Sequence, residues 1–227
     1  MLSPSEYLDL RECAHSVLFD DAVYAWDPLK KIGSYLKTHL TPGFFGSRVG
    51  SSFIGEAVFI GKGTVVEPGV TIKGPAWIGE RCEIRSSCYI RENVIVGDGV
   101  VLGNSCEFKN CLVFNDAEIP HFSYVGDSIL GHRAHLGAGV ILSNFRLDRK
   151  EISVRHQGTV IDTGLRKFGA IIGDRVEIGC NASISPGSLI GRNCLIYPLT
   201  HFGGVLDDNT ILQNRQILRK IPREQRD

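Results

Sequence analysis

The chain has 227 residues, enough for one full core with a small appendage, and 25 basic against 25 acidic side chains leave no formal net charge. That balance excludes nucleic-acid binding through bulk positive charge, and 43% hydrophobic with 22% charged residues excludes whole-chain disorder. The N-terminal stretch has no basic start or apolar core and no run reaches membrane-span length, so a cytoplasmic protein without membrane or nucleic-acid partners is expected.

The predicted elements begin with helix. Ser3 with Glu6 three residues on reads as a capping box, and Leu29, Ile32, Leu36 and Leu40 recur at helical spacing before Pro42 and Gly43 stop the run. Residues 1–50 are therefore expected to form a helical cap. It would cover the first coil of the repeat that begins near residue 51, whose bare strand edges otherwise invite aggregation.

From Ile54 every sixth residue is apolar: Ile60, Val66, Ile72, Ile78, Ile84, Ile90, Val96, Leu102, Phe108 and Phe114. A helix needs a period of 3.6 and a simple strand a period of 2, so neither explains six. A short strand plus a turn does, with three such sides closing a triangular coil and coils stacking as parallel strands about 4.8 Å apart. Residues 51–212 are thus predicted to be a parallel β-helix. The small residues four after each anchor, Cys82, Cys88 and Cys106 among them, would pack its corners. The seven cysteines form no C-x-x-C pair and are read as free thiols.

At residue 120 the anchor position holds Pro, and phasing resumes only at Leu130, Leu136 and Leu142. Residues 143–170 show no sixfold pattern and are predicted to be an inserted loop, a length that usually signals function or disorder. Its Arg146, Arg149, Lys150, Arg155, Arg166 and Lys167 suit gripping an anion. A second run, Ile172 to Phe202, restores the period, and residues 213–227 form a basic C-terminal tail.

Lys73, Arg91 and Lys109 lie one coil apart and should stack on one face. Two readings stay open: a solvated face screened by salt, or a phosphate offsetting the repulsion between the cations. His121, just after the repeat-breaking Pro120, is likewise either a plain surface residue or a base.

The segments GNSCEFK, HFSYVGD, LGAG and SN resemble the hexapeptide-repeat, left-handed β-helix acyltransferases. Within these they are similar to the acetyltransferase domain of bifunctional glucosamine-1-phosphate N-acetyltransferase/N-acetylglucosamine-1-phosphate uridyltransferases. The left hand comes from this resemblance, because ordinary crossovers are right-handed. The resemblance implies acetyl-CoA-dependent N-acetylation of an amino-sugar 1-phosphate such as glucosamine 1-phosphate, in UDP-N-acetylglucosamine synthesis, by a homotrimer that requires no metal. It makes His121 the general base and Glu107 a supporting acid. Arg91 and Lys109 would bind the sugar phosphate, Tyr124, Asn144 and His135 would face the sugar, and Lys150 would touch phosphate or sugar. The backbone N–H of Ala138 would meet the acetyl carbonyl, with Cys180 near the coenzyme arm; Arg166, Lys167 and the tail are candidates for the coenzyme phosphates.

Two departures stand out. His135 replaces the usual Asn and Phe145 the usual Tyr, so the acceptor sugar is open. No G-x-G-x-R-x-x-P nucleotide loop occurs, which keeps a second reading: a non-catalytic or regulatory β-helix relative of a sugar-phosphate nucleotidyltransferase. A third sets His121, His132 and His135 around zinc, as in β-helical carbonic anhydrases. A lipid A type acyltransferase would need a long apolar groove that is not evident in the sequence.

Overall fold

The computed structural model describes residues 2–214 and 221. Three parallel sheets of nine, nine and eight short strands wind into a left-handed triangular prism. Face A runs from Gly43–Phe44 to Val205–Leu206, face B from Ser47–Arg48 to Ile211–Leu212, and face C from Phe53–Ile54 to His201–Phe202. The solenoid therefore starts at Gly43, before the boundary expected near residue 50. The tail at 215–220 and 222–227 lies outside the described residues.

The sixfold anchors point inward. Ile60, Val66, Ile72, Ile78, Ile84, Ile90, Val96, Leu102 and Phe108 are fully buried in one continuous core, with Cys82, Cys88 and Cys106 beside them. The expectation for Phe114 and Pro120 is corrected. Val96 pairs with Ile78 eighteen residues back but with Val113 seventeen ahead, so the side from Phe108 to Val113 has five residues. The inward positions then run Val113, Ile119, Val125 and Leu130. Pro120 is no anchor, and the repeat slips phase there without stopping. Phe114 instead turns outward.

The helical segment is also corrected in place and form. It lies along face A from the Trp77 rung onward, not over the end of the first coil. On that face the residue before each anchor is apolar as well: Trp77, Ile95, Leu112, Ile129, Ile171 and Leu189. Trp26, Ile32, Leu36, Leu8 and Phe19 pack onto this outer ladder. The strap is held by Tyr7 and Glu12 carbonyls, which accept from Asp174 and Asn115 amides, and by the Asp9 amide, which donates to Asp174 Oδ2 at 2.7 Å. Ser3 makes no side-chain cap, and its helix is the single turn Pro4–Tyr7. The longer helix, Ile32–His39, buries the predicted Ile32 and Leu36.

The insertion is a folded element. Ile152–His156 and Thr159–Leu165 form an antiparallel hairpin, and Ile152, Val154 and Phe168 join the apolar layer under the strap. Its neck is closed by two backbone bonds: Phe168 N donates to Asn144 O, and Gly169 N to Asp127 O.

All seven cysteines are free, and Cys180 alone is exposed. Burial pushes the Cys13 and Cys82 thiols up to about 11 and raises the Cys88 and Cys111 thiols as well. Titrating the native protein with a thiol reagent is expected to label one cysteine promptly and the rest only after unfolding. Rapid labelling of several would contradict this packing.

Candidate active site

Face C carries two outward columns, one on each side of its buried anchors. Register pairs Thr71, Tyr89, Glu107, Tyr124, Ile141, Ser183 and His201 in one column. The other stacks Lys73, Arg91, Lys109 and Gly126, since their anchor neighbours Ile72, Ile90, Phe108 and Val125 are paired. Arg91 and Lys109 thus share a face, as their spacing predicts.

Their charges are already met by the protein. Arg91 Nη1 lies 3.0 Å from Glu107 Oε1, with each side chain about a third exposed, and Arg91 Nη2 lies 3.6 Å from Glu92. Lys109 Nζ sits 3.7 Å from the buried Asp127 carboxylate. Lys73 leans over the Tyr89 ring, 5.2 Å from its centroid. The sequence reading, which left screening by salt or by a phosphate open, did not foresee these internal partners. Arg91 can exchange a partly exposed carboxylate for a ligand, whereas Lys109 is tied to an interior one.

Tyr124 and Asn144 meet on this face: Asn144 Nδ2 donates to Tyr124 Oη at 3.0 Å and to Asp127 Oδ2. Burial, then the Asp127 and Glu107 charges, raise the Tyr124 phenol, so it stays protonated. Gly126 makes the arrangement possible. A Cβ there would collide with the Tyr124 hydroxyl and come 2.7 Å from Asn144 Nδ2.

His121 ends the face B strand Glu118–His121, at the corner leading to face C, and is exposed. Neither ring nitrogen has a hydrogen-bond partner among the described residues. Glu107 reaches Arg91, so its expected support of His121 is not seen. Glu118 pairs with His135 one coil on, so Ala138 stacks directly above His121, about 4.8 Å away. The Gly137 and Gly139 amides donate to Ile178 and His121 carbonyls, while the Ala138 N–H between them makes no hydrogen bond among the described residues. Cys180 stacks on Ala138 in turn, because His135 pairs with Glu177. An apolar groove lined by Gly137, Ile178, Cys180, Leu195, Tyr197 and Pro198 runs beside this corner on face B.

Two expected site residues lie apart from the cluster. His135 is on face B, where its Nδ1 meets Glu177 Oε2 at 2.8 Å. Lys150 is exposed in the insertion, and its side chain reaches none of the cluster. His132 is buried at the A–B corner with Nδ1 2.9 Å from the Asn115 carbonyl, so His121, His132 and His135 do not converge on a zinc position. Asp127 was missed by the sequence reading. Its signal lay in the segment HFSYVGD, where a carboxylate follows the glycine that frames Tyr124.

Residues 72–165 match the family model described as the GMPPB C-terminal domain, and residues 169–197 match that of the hexapeptide repeat of succinyl-transferase. A bifunctional sugar-1-phosphate nucleotidylyltransferase/acetyltransferase of Sulfurisphaera tokodaii is 44% identical over 94 residues, 41% of this chain and 23% of that protein. The bifunctional protein GlmU of Methanococcus maripaludis strain C7 is 40% identical over 122 residues, 51% of this chain and 27% of its own length. The chain winds a sixfold-repeat β-helix and is similar to these bifunctional relatives over 41–51% of its own length. It spans about a quarter of the length of these bifunctional relatives. No helix among the described residues is long and apolar enough to cross a membrane.

Proposed function

We propose that the chain transfers the acetyl group of acetyl-CoA to the amine of an amino-sugar 1-phosphate in nucleotide-sugar synthesis. The observation that carries this is the stacking of His121, whose imidazole is exposed, one coil beneath Ala138, whose N–H is uncommitted among the described residues, with Tyr124 one corner on in the same coil and Arg91 two coils below it. The pantetheine arm lies in the apolar groove beside Cys180, which leads the thioester to Ala138. The amine attacks the thioester carbonyl, His121 takes the amine proton, and the Ala138 N–H holds the oxyanion that forms. Collapse of that intermediate expels the coenzyme thiolate, which is protonated as it leaves. Arg91 releases Glu107 to grip the phosphate, so that a remote group positions the amine.

The corner bearing His121 is convex and open, and face A is filled by the chain's own strap. A homotrimer supplies the missing wall: a neighbouring prism closes over the corner, orients the imidazole and shelters the thioester. A monomer by light scattering at micromolar concentration would count against this part.

Acetyl-CoA consumption with a panel of amino-sugar 1-phosphates tests the reading. Arg91→Met is expected to raise KM for the sugar phosphate about 10–100-fold, the loss of a charge-assisted contact, and to leave KM for acetyl-CoA unchanged. Equal effects on both constants would remove Arg91 from the phosphate site. The internal pairing of Arg91 and Lys109 favours a second reading, a non-catalytic relative that binds a nucleotidyltransferase, which absence of turnover across the panel would support.

A further inference from the structure

Asp127 sits where several elements join, and it is itself buried. It is 4% exposed, adopts a left-handed φ of 48° and accepts from Asn110 Nδ2 at 3.0 Å. It also faces the Lys109 ammonium at 3.7 Å, while its carbonyl takes the Gly169 amide at the neck of the insertion. Its second carboxylate oxygen meets the Asn144 amide. A carboxylate can only accept, so the Asn144 atom facing it is the amino group.

The two hydrogens of that amino group are both used, one by Asp127 and one by Tyr124 Oη. The Tyr124 oxygen is therefore an acceptor from Asn144, and its own hydrogen must go elsewhere. No other partner of that hydroxyl exists among the described residues, and the phenol stands on face C one coil from Glu107 and two coils from Arg91. The negative charge on Asp127 thus sets the polarity of a relay that ends in an outward O–H.

We propose that Asp127 is a positioning residue that fixes the direction of the relay from Asp127 through Asn144 to Tyr124, so that the Tyr124 hydroxyl donates to an anionic oxygen of the acceptor, its phosphate. The identity of that ligand rests on the acetyltransferase reading. The direction of the relay does not. An isosteric neutral group at 127 lets the Asn144 amide turn over, and Tyr124 then donates to Asn144 instead of to the ligand.

The test is a double-mutant cycle on the full chain, with glucosamine 1-phosphate binding followed by calorimetry for the native protein, Asp127→Asn, Tyr124→Phe and the double variant. Tyr124→Phe is expected to weaken binding about 10–100-fold, the loss of a hydrogen bond to a charged group. Asp127→Asn should weaken it by a similar factor, and the double variant should bind no worse than Tyr124→Phe alone. Multiplying effects would overturn the relay. So would tighter binding by Asp127→Asn, which would mean that the carboxylate only masks Lys109; absence of binding by the native protein would overturn the assignment of this ligand to Tyr124. Should Asp127→Asn not fold, Asn144→Ala breaks the chain at its next link and enters the same cycle. Acetyl transfer is measured in parallel. Binding with an intact cycle but no transfer sinks the acetyltransferase reading alone, whereas transfer with multiplying effects sinks the relay alone.

Discussion

Replacing His121 by alanine lowers acetyl-transfer turnover about 10²–10⁴-fold, the range for a lost general base, and leaves the fold intact. The side chain is exposed at the end of a strand whose core residue is Ile119, so removing it opens no cavity. Its carbonyl, which accepts from Gly139 N and Ser123 Oγ, is unaffected by the substitution. The loss should fall on kcat, because nothing in the site makes His121 a binding group for the ground state. Added imidazole should restore part of the rate. Turnover within a factor of two of the native protein would remove His121 from the chemistry and leave the Ala138 N–H and the approach of the two substrates to carry it.

The second large effect concerns the strap. Trp26→Ala is expected to cost about 3–5 kcal/mol, as for other large buried aromatics. The Trp26 ring is fully buried, stacks on Tyr24 with 4.6 Å between centroids and touches Phe168 from the insertion. Each coil of the prism contacts mainly its neighbours, whereas the strap crosses many coils and can peel off as a unit. The variant should therefore unfold in two steps, with the apolar ladder on face A exposed, and bind a hydrophobic dye, before the prism melts. Trp26→Phe is the control. The Trp26 Nε1–H is buried without a partner among the described residues, so the smaller ring should cost about 1 kcal/mol or less. A single transition with an unchanged midpoint in Trp26→Ala would show that the strap adds little.

Part of the site was legible in the chain alone. The shared face of Arg91 and Lys109 follows from counting, because an unbroken coil of eighteen residues returns each side chain to its column. The stacking of His121 under Ala138 does not, because the spacing there is seventeen. What these side chains touch was not legible at all. Glu92 is next to Arg91 in the chain, yet Glu107 and Asp127 reach the cations from the neighbouring coil, and only the register between coils brings them within 4 Å. Lys150 and His135 resemble site residues by motif, but a side chain's column decides what it can reach. His135 falls on face B, and Lys150 on the insertion.

The sequence by itself determined the triangular prism. A sixfold recurrence of apolar residues can be buried only if the chain turns every six residues, and on faces B and C polar neighbours flank most anchors and mark which residue points inward. Face A lacks that contrast. Leu112, Val113 and Phe114 are all apolar because that face is covered on both sides, so the inward residue cannot be told from its neighbours there. A strict count of six therefore ran past the five-residue side and placed Phe114 inside. Only the tertiary structure decided that the core takes Val113, that the strap lies along face A, and that the insertion folds into its edge. Each of these depends on which apolar surfaces find one another across the molecule, and periodicity along the chain carries no record of that.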